Sequence, residues 1–279
     1  GGDGIVLQNA ILEISGIDTR LQVNGGVVKY GLSTVTVSTG AFLNTNDWCD
    51  NGNTDGQYTL PRGSTCNMTT HVIVLANTLL ELSSGSGNGE CAIISGNYVT
   101  RHFFVHGSLT LTDLILEKGR PSDGFGGGAL LVLGSSTSNA LVHLVRSIIR
   151  HCDVSGFAEN GGAVYLFGHS GTVVLLLEGS TFDSNLGLRG GAVYVHKGGK
   201  VKLKEGTISY VINNQARDSG GGFSFQQGSL DITGIGTQLV VDGNTAQELG
   251  GGLFVAFSST VTVSSGAVLK IINNKAMTL

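Results

Sequence analysis

Short stretches in which apolar and polar residues alternate recur along the chain, and none shows helical periodicity with capping residues at its ends. Ala192 to His196 sets small, apolar and aromatic residues in turn, and Lys200 to Lys204 alternates lysines with Val201 and Leu203. Val173 to Leu177 is an unbroken apolar run, the pattern of a strand covered on both faces. Strands at this density, with no helices between them, leave a sandwich, a propeller or a solenoid.

The punctuation between strands decides among these. Gly127-Gly128-Ala129, Gly161-Gly162-Ala163, Gly190-Gly191-Ala192, Gly220-Gly221-Gly222 and Gly250-Gly251-Gly252 follow one another at a nearly constant step, the first gap being slightly longer than the rest. In phase with them run Asn185, Asn214, Asn244 and Asn274, at the same step. Cys152 stands in the asparagine slot of a degenerate earlier copy, Ile149-Arg150-His151-Cys152. A fixed period of about 30 residues, with a glycine corner (Gly128, Gly162, Gly191, Gly221, Gly251) and an asparagine corner per unit, predicts an all-β solenoid. The specific expectation is a right-handed parallel β-helix with rungs of about 30 residues, running as a single domain over 1–279. Rungs would stack about 4.8 Å apart, so equivalent residues meet directly. Paired glycines then turn a corner with positive φ and no Cβ in the way of the next rung. A stacked asparagine tolerates a left-handed bend and bonds its counterparts in a ladder.

The two ends of the chain resemble one internal segment. Asn273 to Leu279 followed by Gly1-Gly2 parallels Asn213 to Ser219 followed by Gly220-Gly221. Leu12 to Thr19 echoes Leu230 to Thr237, and Ser33 to Ala41 echoes Ser259 to Ala267. No cap is legible at either end, and solenoids otherwise need one. The expected partner is another copy stacked head to tail, with Gly1, Gly2, Leu7, Ile271, Asn274 and Leu279 at the interface.

Composition narrows the setting. The chain has 45 glycines and 2 prolines, no collagen triplet and a net charge of −4, so nothing resembles a nucleic-acid binder. No apolar run is long enough for a membrane helix, so no membrane insertion is expected. The sequence opens at Gly1 without a leader, which reads as a processed product or an excerpt of a longer chain. The segment 44–67 reads as a polar insertion loop, closed by a Cys49–Cys66 disulfide and carrying a glycosylation sequon at Asn67. These features predict an extracellular or cell-surface location. Cys91 and Cys152 read equally as buried thiols or a second bridge. Trp48 and Tyr58 in the same loop are the candidate contact residues, for a sugar or a neighbouring protomer.

The pairing of Gly-Gly-Ala-(Val/Leu) with Phe-x-x-Asn, best seen in Phe182 to Asn185 and Gly190 to Tyr194, resembles the repeat of polymorphic outer membrane proteins. Arg101 to Leu114 is similar to the lead-in of such regions, and the clear resemblance covers 101–279. It resembles chlamydial passenger domains and algal and other eukaryotic surface proteins. That implies adhesion, surface display or matrix roles. Gly222 and Gly252 depart from it where alanine is usual, as does the missing phenylalanine in the last two copies.

Candidate chemistry is sparse. A β-helix lyase or glycosidase needs clustered acids or a carboxylate pair across a cleft. Here Asp153, Asp183, Asp218 and Asp242 fall one per rung beside the asparagine corners, where turn chemistry accounts for them. His143, His151, His169 and His196 have no metal-ligand spacing, and no cofactor is implied. The expectation is a structural subunit of an extracellular fibre, not an enzyme. The alternatives are a monomeric adhesin binding a surface glycan and, third, a polysaccharide-degrading enzyme.

Overall fold

A computed structural model describes residues 54–277 apart from 87–88, 122, 137, 155–158 and 170, together with Trp48 and the backbone of strands between Ile5 and Thr45. Every named element is a strand, and all named strand pairs are parallel. The chain coils as a β-solenoid of about 7 turns with ~30-residue spacing. One face stacks eight strands, from Gly56–Leu60 to Thr260–Ser264. A second stacks eight, from Thr65–Asn67 to Val268–Ile272, and a third stacks seven, from Val72–Val74 to Leu253–Ala256. A short fourth sheet (Leu186–Gly187, Gln215–Ala216, Thr245–Ala246, Lys275–Ala276) follows the asparagine corner.

The alternating pattern sets which side chains fill the coil. Val173, Leu175 and Leu177 point inward, while Val174 and Leu176 are half-buried on the outside. The unbroken apolar run is therefore covered on one face only, and its outward residues pair with Lys200 and Lys202 of the next turn. Inward residues form one continuous column-packed core from Trp48 to Val241. Burying such side chains contributes roughly 1.5–3 kcal/mol each before the entropy of ordering is charged against it.

Corners divide their work between adjacent residues. The first glycine of each pair takes positive φ, as at Gly190 (φ 65°). The second, Gly191, sits where a Cβ would lie 2.2 Å from the carbonyl oxygen of Gly221 in the next turn. Asparagine corners correct one expectation. The left-handed residue is the one before the ladder asparagine (Ser184, Asn213, Gly243 and Asn273), so the asparagine itself stays free to turn its amide inward.

The insertion read over 44–67 is also corrected. Gly56–Leu60 and Thr65–Asn67 are regular rung strands, joined at Pro61-Arg62-Gly63. Polar neighbours hide a short alternation in which Tyr58, Leu60, Cys66 and Met68 face inward.

Strands near the N-terminus share the layout of the last turns. The strands starting at Ile5, Ile11 and Arg20 precede those starting at Phe223, Ser229 and Gln238 by one constant offset. The strands starting at Val27, Thr34 and Phe42 precede those starting at Leu253, Thr260 and Val268 by a second, slightly larger one. Leu12 pairs with Val35 as Leu230 pairs with Val261. The offset changes between the strands Arg20–Val23 and Val27–Tyr30. Ile5 pairs with Val27 and Phe223 with Leu253, and the first of these turns is the shorter. There the sequence runs from Val23 through Asn24-Gly25-Gly26 directly to Val27, where the later turn inserts the segment containing Thr245–Ala246.

Candidate functional site

Two surfaces carry the chemistry of this chain: the end of the coil and its third face. At the end, the asparagines 185, 214, 244 and 274 form a continuous ladder. The Asn185 backbone N–H and Nδ2 both donate to Asn214 Oδ1 at 2.9 Å, and Asn214 and Asn244 repeat the pattern onto Asn244 and Asn274. Each Nδ2 also reaches a carbonyl of the preceding turn, such as Asn214 to Phe182 at 3.1 Å. Cys152 occupies the head of the column and donates its N–H to Asn185 Oδ1 at 3.0 Å. Burial pushes the Cys152 thiol up to about 12, which keeps it protonated and inert.

A second ladder leaves no mark in the sequence pattern. Ser147 and Ser180, at the bend between the first and second faces, stack in line with Ser209 in the second-face strand Ile208–Ile212. Ser147 N–H donates to Ser180 Oγ at 3.1 Å and Ser180 N–H to Ser209 Oγ at 3.3 Å. Serines are so common in this chain that their spacing does not stand out.

Among the described residues, exposure of the inward column rises at the last turn. Phe225, Ile232 and Val241 are 0% exposed, whereas their partners one turn on, Val255, Val263 and Ile271, are 40, 42 and 48% exposed. Of the expected interface, Ile271 and Asn274 lie on this open turn, and Leu7 lies in the strand Ile5–Gln8. Gly1, Gly2 and Leu279 lie outside the described residues.

The contact-loop assignment does not survive. Trp48 is 1% exposed and tilts against Phe103 at 5.9 Å, and Tyr58 is 8% exposed, with its hydroxyl pushed up to about 12 chiefly by burial. Both rings fill the core and present nothing to a ligand. Cys66 is buried and disulfide-bonded, while Cys91 and Cys152 are free thiols. Cys49 lies outside the described residues. Asn67 is exposed at the end of a strand rather than in a loop, and its Oδ1 accepts from Asn97 Nδ2 at 3.1 Å.

The corner aspartates tie turns together. Asp183 accepts from Asn213 and Asp242 from Asn273, at 3.2 and 2.9 Å, and Asp218 pairs with Arg189 at 2.6 Å. Deeper in, Arg101 is buried against Asp123 and the Phe125 carbonyl, with its pKa lowered by burial. The pKa of Glu159, beside it, is raised by burial. Arg101 thus ties to the Asp123–Phe125 segment, while both carboxylate oxygens of Glu159 are buried without a hydrogen-bond partner.

On the third face the outward positions gather aromatic and imidazole rings. Tyr165 meets Tyr194 of the next turn at 5.1 Å, and Phe167 meets His196 at 5.4 Å and His169 at 5.6 Å. The Lys197 ammonium lies 5.3 Å from the Phe167 ring centre. Burial, then Lys197, lowers the His196 pKa, and burial pushes the Tyr165 hydroxyl up to about 12. Both groups are therefore neutral at pH 7. A signal for this stripe is present in the sequence: Tyr165 and Tyr194 each follow a Gly-Gly-Ala-Val in register.

Compared with protein-family models, curated proteins and solved structures, the chain matches none.

Proposed function

We propose that this chain is a structural, non-enzymatic unit of an extracellular or cell-surface fibre, assembled by stacking of copies head to tail. One observation carries the reading. The strands starting at Ile5, Ile11 and Arg20, and those starting at Val27, Thr34 and Phe42, repeat the strand layout of the last turns. Counted through a junction, Leu253 leads to the following copy's Ile5, Thr260 to its Ile11 and Val268 to its Arg20, each at a step of about 30 residues. Those steps agree, to within a single position, with the pairings already found between the last turns. A following copy would add strands to three faces at once and cover Val255, Val263 and Ile271. Unpaired strand edges and exposed core give such an end a strong tendency to associate.

The junction differs in one detail. The corner from Asn274 to the following copy's Ile5 is slightly longer than the corners Asn185–Val193 and Asn214–Phe223. Those two already differ from each other by a single position while keeping the same pairing. A corner absorbs such a change without shifting register.

A surface role accords with the repeat's likeness to polymorphic outer membrane proteins, with the disulfide at Cys66 and with the exposed sequon at Asn67. Glycosylation at Asn67 is part of the proposal. Electron microscopy of purified protein over a range of concentrations tests the reading: filaments support it, and discrete particles at every concentration refute it.

A further inference from the structure

Arg62 donates to the carbonyls of Gly85 and Gly89, and Arg101, Arg146, Arg150 and Arg189 each hold a carboxylate. Arg120 differs. Its half-buried guanidinium has no ion pair or hydrogen bond among the described residues. It borders an open cleft of about 430 Å³ beside the middle turns of the coil, at the head of the asparagine column. Tyr98, His151, Asp153, Ser184 and Leu186 line the cleft with it, next to the buried Cys152.

The backbone fixes where these groups stand. His151 and Ser184 follow the paired residues Arg150 and Asp183, and both take positive φ, 53° and 55°. Across the corner Asp153 bridges to Leu186. The Asp153 N–H donates to the Gly119 carbonyl and the Arg120 N–H to that of Thr100, each at 2.9 Å. Tyr98 follows Asn97 in a second consecutive left-handed position, at φ 58°, and its N–H donates to the Lys118 carbonyl at 2.7 Å. That conformation is uncommon for a bulky residue. Here Tyr98 is 44% exposed, so its ring stands at the cleft and not in the core.

Arginine's planar fork matches a carboxylate through two parallel hydrogen bonds. A guanidinium half withdrawn from water, without a partner among the described residues, is therefore set for an anion from outside. Asp153 narrows the choice of anion. Its carboxylate repels phosphate or sulfate, which present charge on every side, yet accepts readily from hydroxyl groups. A ligand with one carboxylate at one edge and hydroxyls at another satisfies both residues. Ser184 Oγ, which donates to Asp183 at 2.8 Å, keeps lone pairs to accept from a further hydroxyl. Tyr98 and Leu186 offer apolar surface to C–H groups. A cleft of this size accommodates a sugar unit. We infer that it binds the carboxylated sugar of an acidic glycan. The carboxylate lies on Arg120, hydroxyls on Asp153 and Ser184, and the sugar ring against Tyr98. Nothing in this site rests on the stacking of copies.

Isothermal titration of the full chain with two matched pairs tests the inference: trigalacturonate against its methyl ester, and sialyllactose against lactose, with inorganic phosphate as the bare anion. At least one carboxylated sugar is expected to bind in the micromolar to millimolar range, and its uncharged counterpart about ten-fold more weakly or worse. Arg120→Gln is expected to weaken binding about ten-fold and to leave the thermal midpoint unchanged, since the guanidinium ties no described part of the coil together. Tyr98→Ala should weaken it about three-fold through lost ring contact. Lys200→Gln, at an exposed position in the strand Gly199–Leu203, reports general attraction of anions and should leave the affinity unchanged. The inference is overturned if neither carboxylated sugar binds, or if the uncharged counterpart or phosphate binds as tightly. Affinity retained in Arg120→Gln, or lost equally in Lys200→Gln, overturns it as well.

Discussion

A buried amide that serves two turns is the smallest unit on which this coil depends. Asn214 accepts from two Asn185 donors and itself donates to Asn244 Oδ1 and to the Phe182 and Ile212 carbonyls. Asn214→Ala leaves the Asn185 N–H buried without that acceptor. Each orphaned buried group costs about 1–3 kcal/mol, so a loss of roughly 2–4 kcal/mol is expected. Amide exchange should localise the loosening to the turns holding Asn185 and Asn244; uniform exchange across the coil would argue against the ladder's role. Glycine substitutions separate two kinds of strain. Gly191→Ala drives a Cβ into the Gly221 carbonyl and is expected to destabilise by about 3 kcal/mol. Gly206→Ala meets no atom within 4 Å and carries only its φ of +76°, for about 1 kcal/mol. Equal losses in thermal unfolding would contradict that division.

His102 gives the residue scale its pH dependence. It is fully buried, its Nε2 lies 2.9 Å from the Ile94 carbonyl and 3.1 Å from that of Glu117, and burial lowers its pKa from 6.5 to about 4. The folded chain therefore resists taking up the proton that the unfolded chain accepts. Its contribution is fully present above pH 6.5 and is lost as pH falls towards 4, amounting to roughly 3 kcal/mol. His102→Gln should flatten stability between those pH values; an unchanged slope would show that other groups set it.

Among the elements, strand corners are far more legible in the sequence than strand surfaces. Stacking demands the same residue type at the same place in each turn, so the glycine and asparagine repeats announce themselves by their even step. Alternation alone says which residues share a side, not which side is covered. For that reason the apolar run suggests burial for Val174 and Leu176, which are partly exposed, and the polar setting suggests exposure for Trp48 and Tyr58, which are core. The aromatic stripe is legible only in part: Tyr165 and Tyr194 repeat after Gly-Gly-Ala-Val, whereas Phe167 pairs with a different residue type, His196. Ties between turns, such as Arg146 to Asp113 at 2.7 Å and Arg150 to Glu117 at 2.7 Å, join residues too far apart in the chain for any local reading to connect.

For the whole molecule, the fold and the proposed assembly follow from one geometry, in which every turn is completed by the next. Val263 and Ile271 continue the inward column and reach solvent. Placing a carboxylate there should stop growth without unfolding the unit, since the side chain can point out of the open end. Val263→Glu and Ile271→Glu are each expected to leave the thermal midpoint within a few degrees and to abolish assembly, as judged by light scattering. The most direct measurement is electron microscopy with diffraction on concentrated wild-type protein beside Ile271→Glu. The account predicts unbranched filaments with an axial spacing of about 4.8 Å for the wild type and single particles for the variant. Wild-type protein that stays as discrete particles at every concentration, or filaments that persist unchanged in the variant, would contradict it.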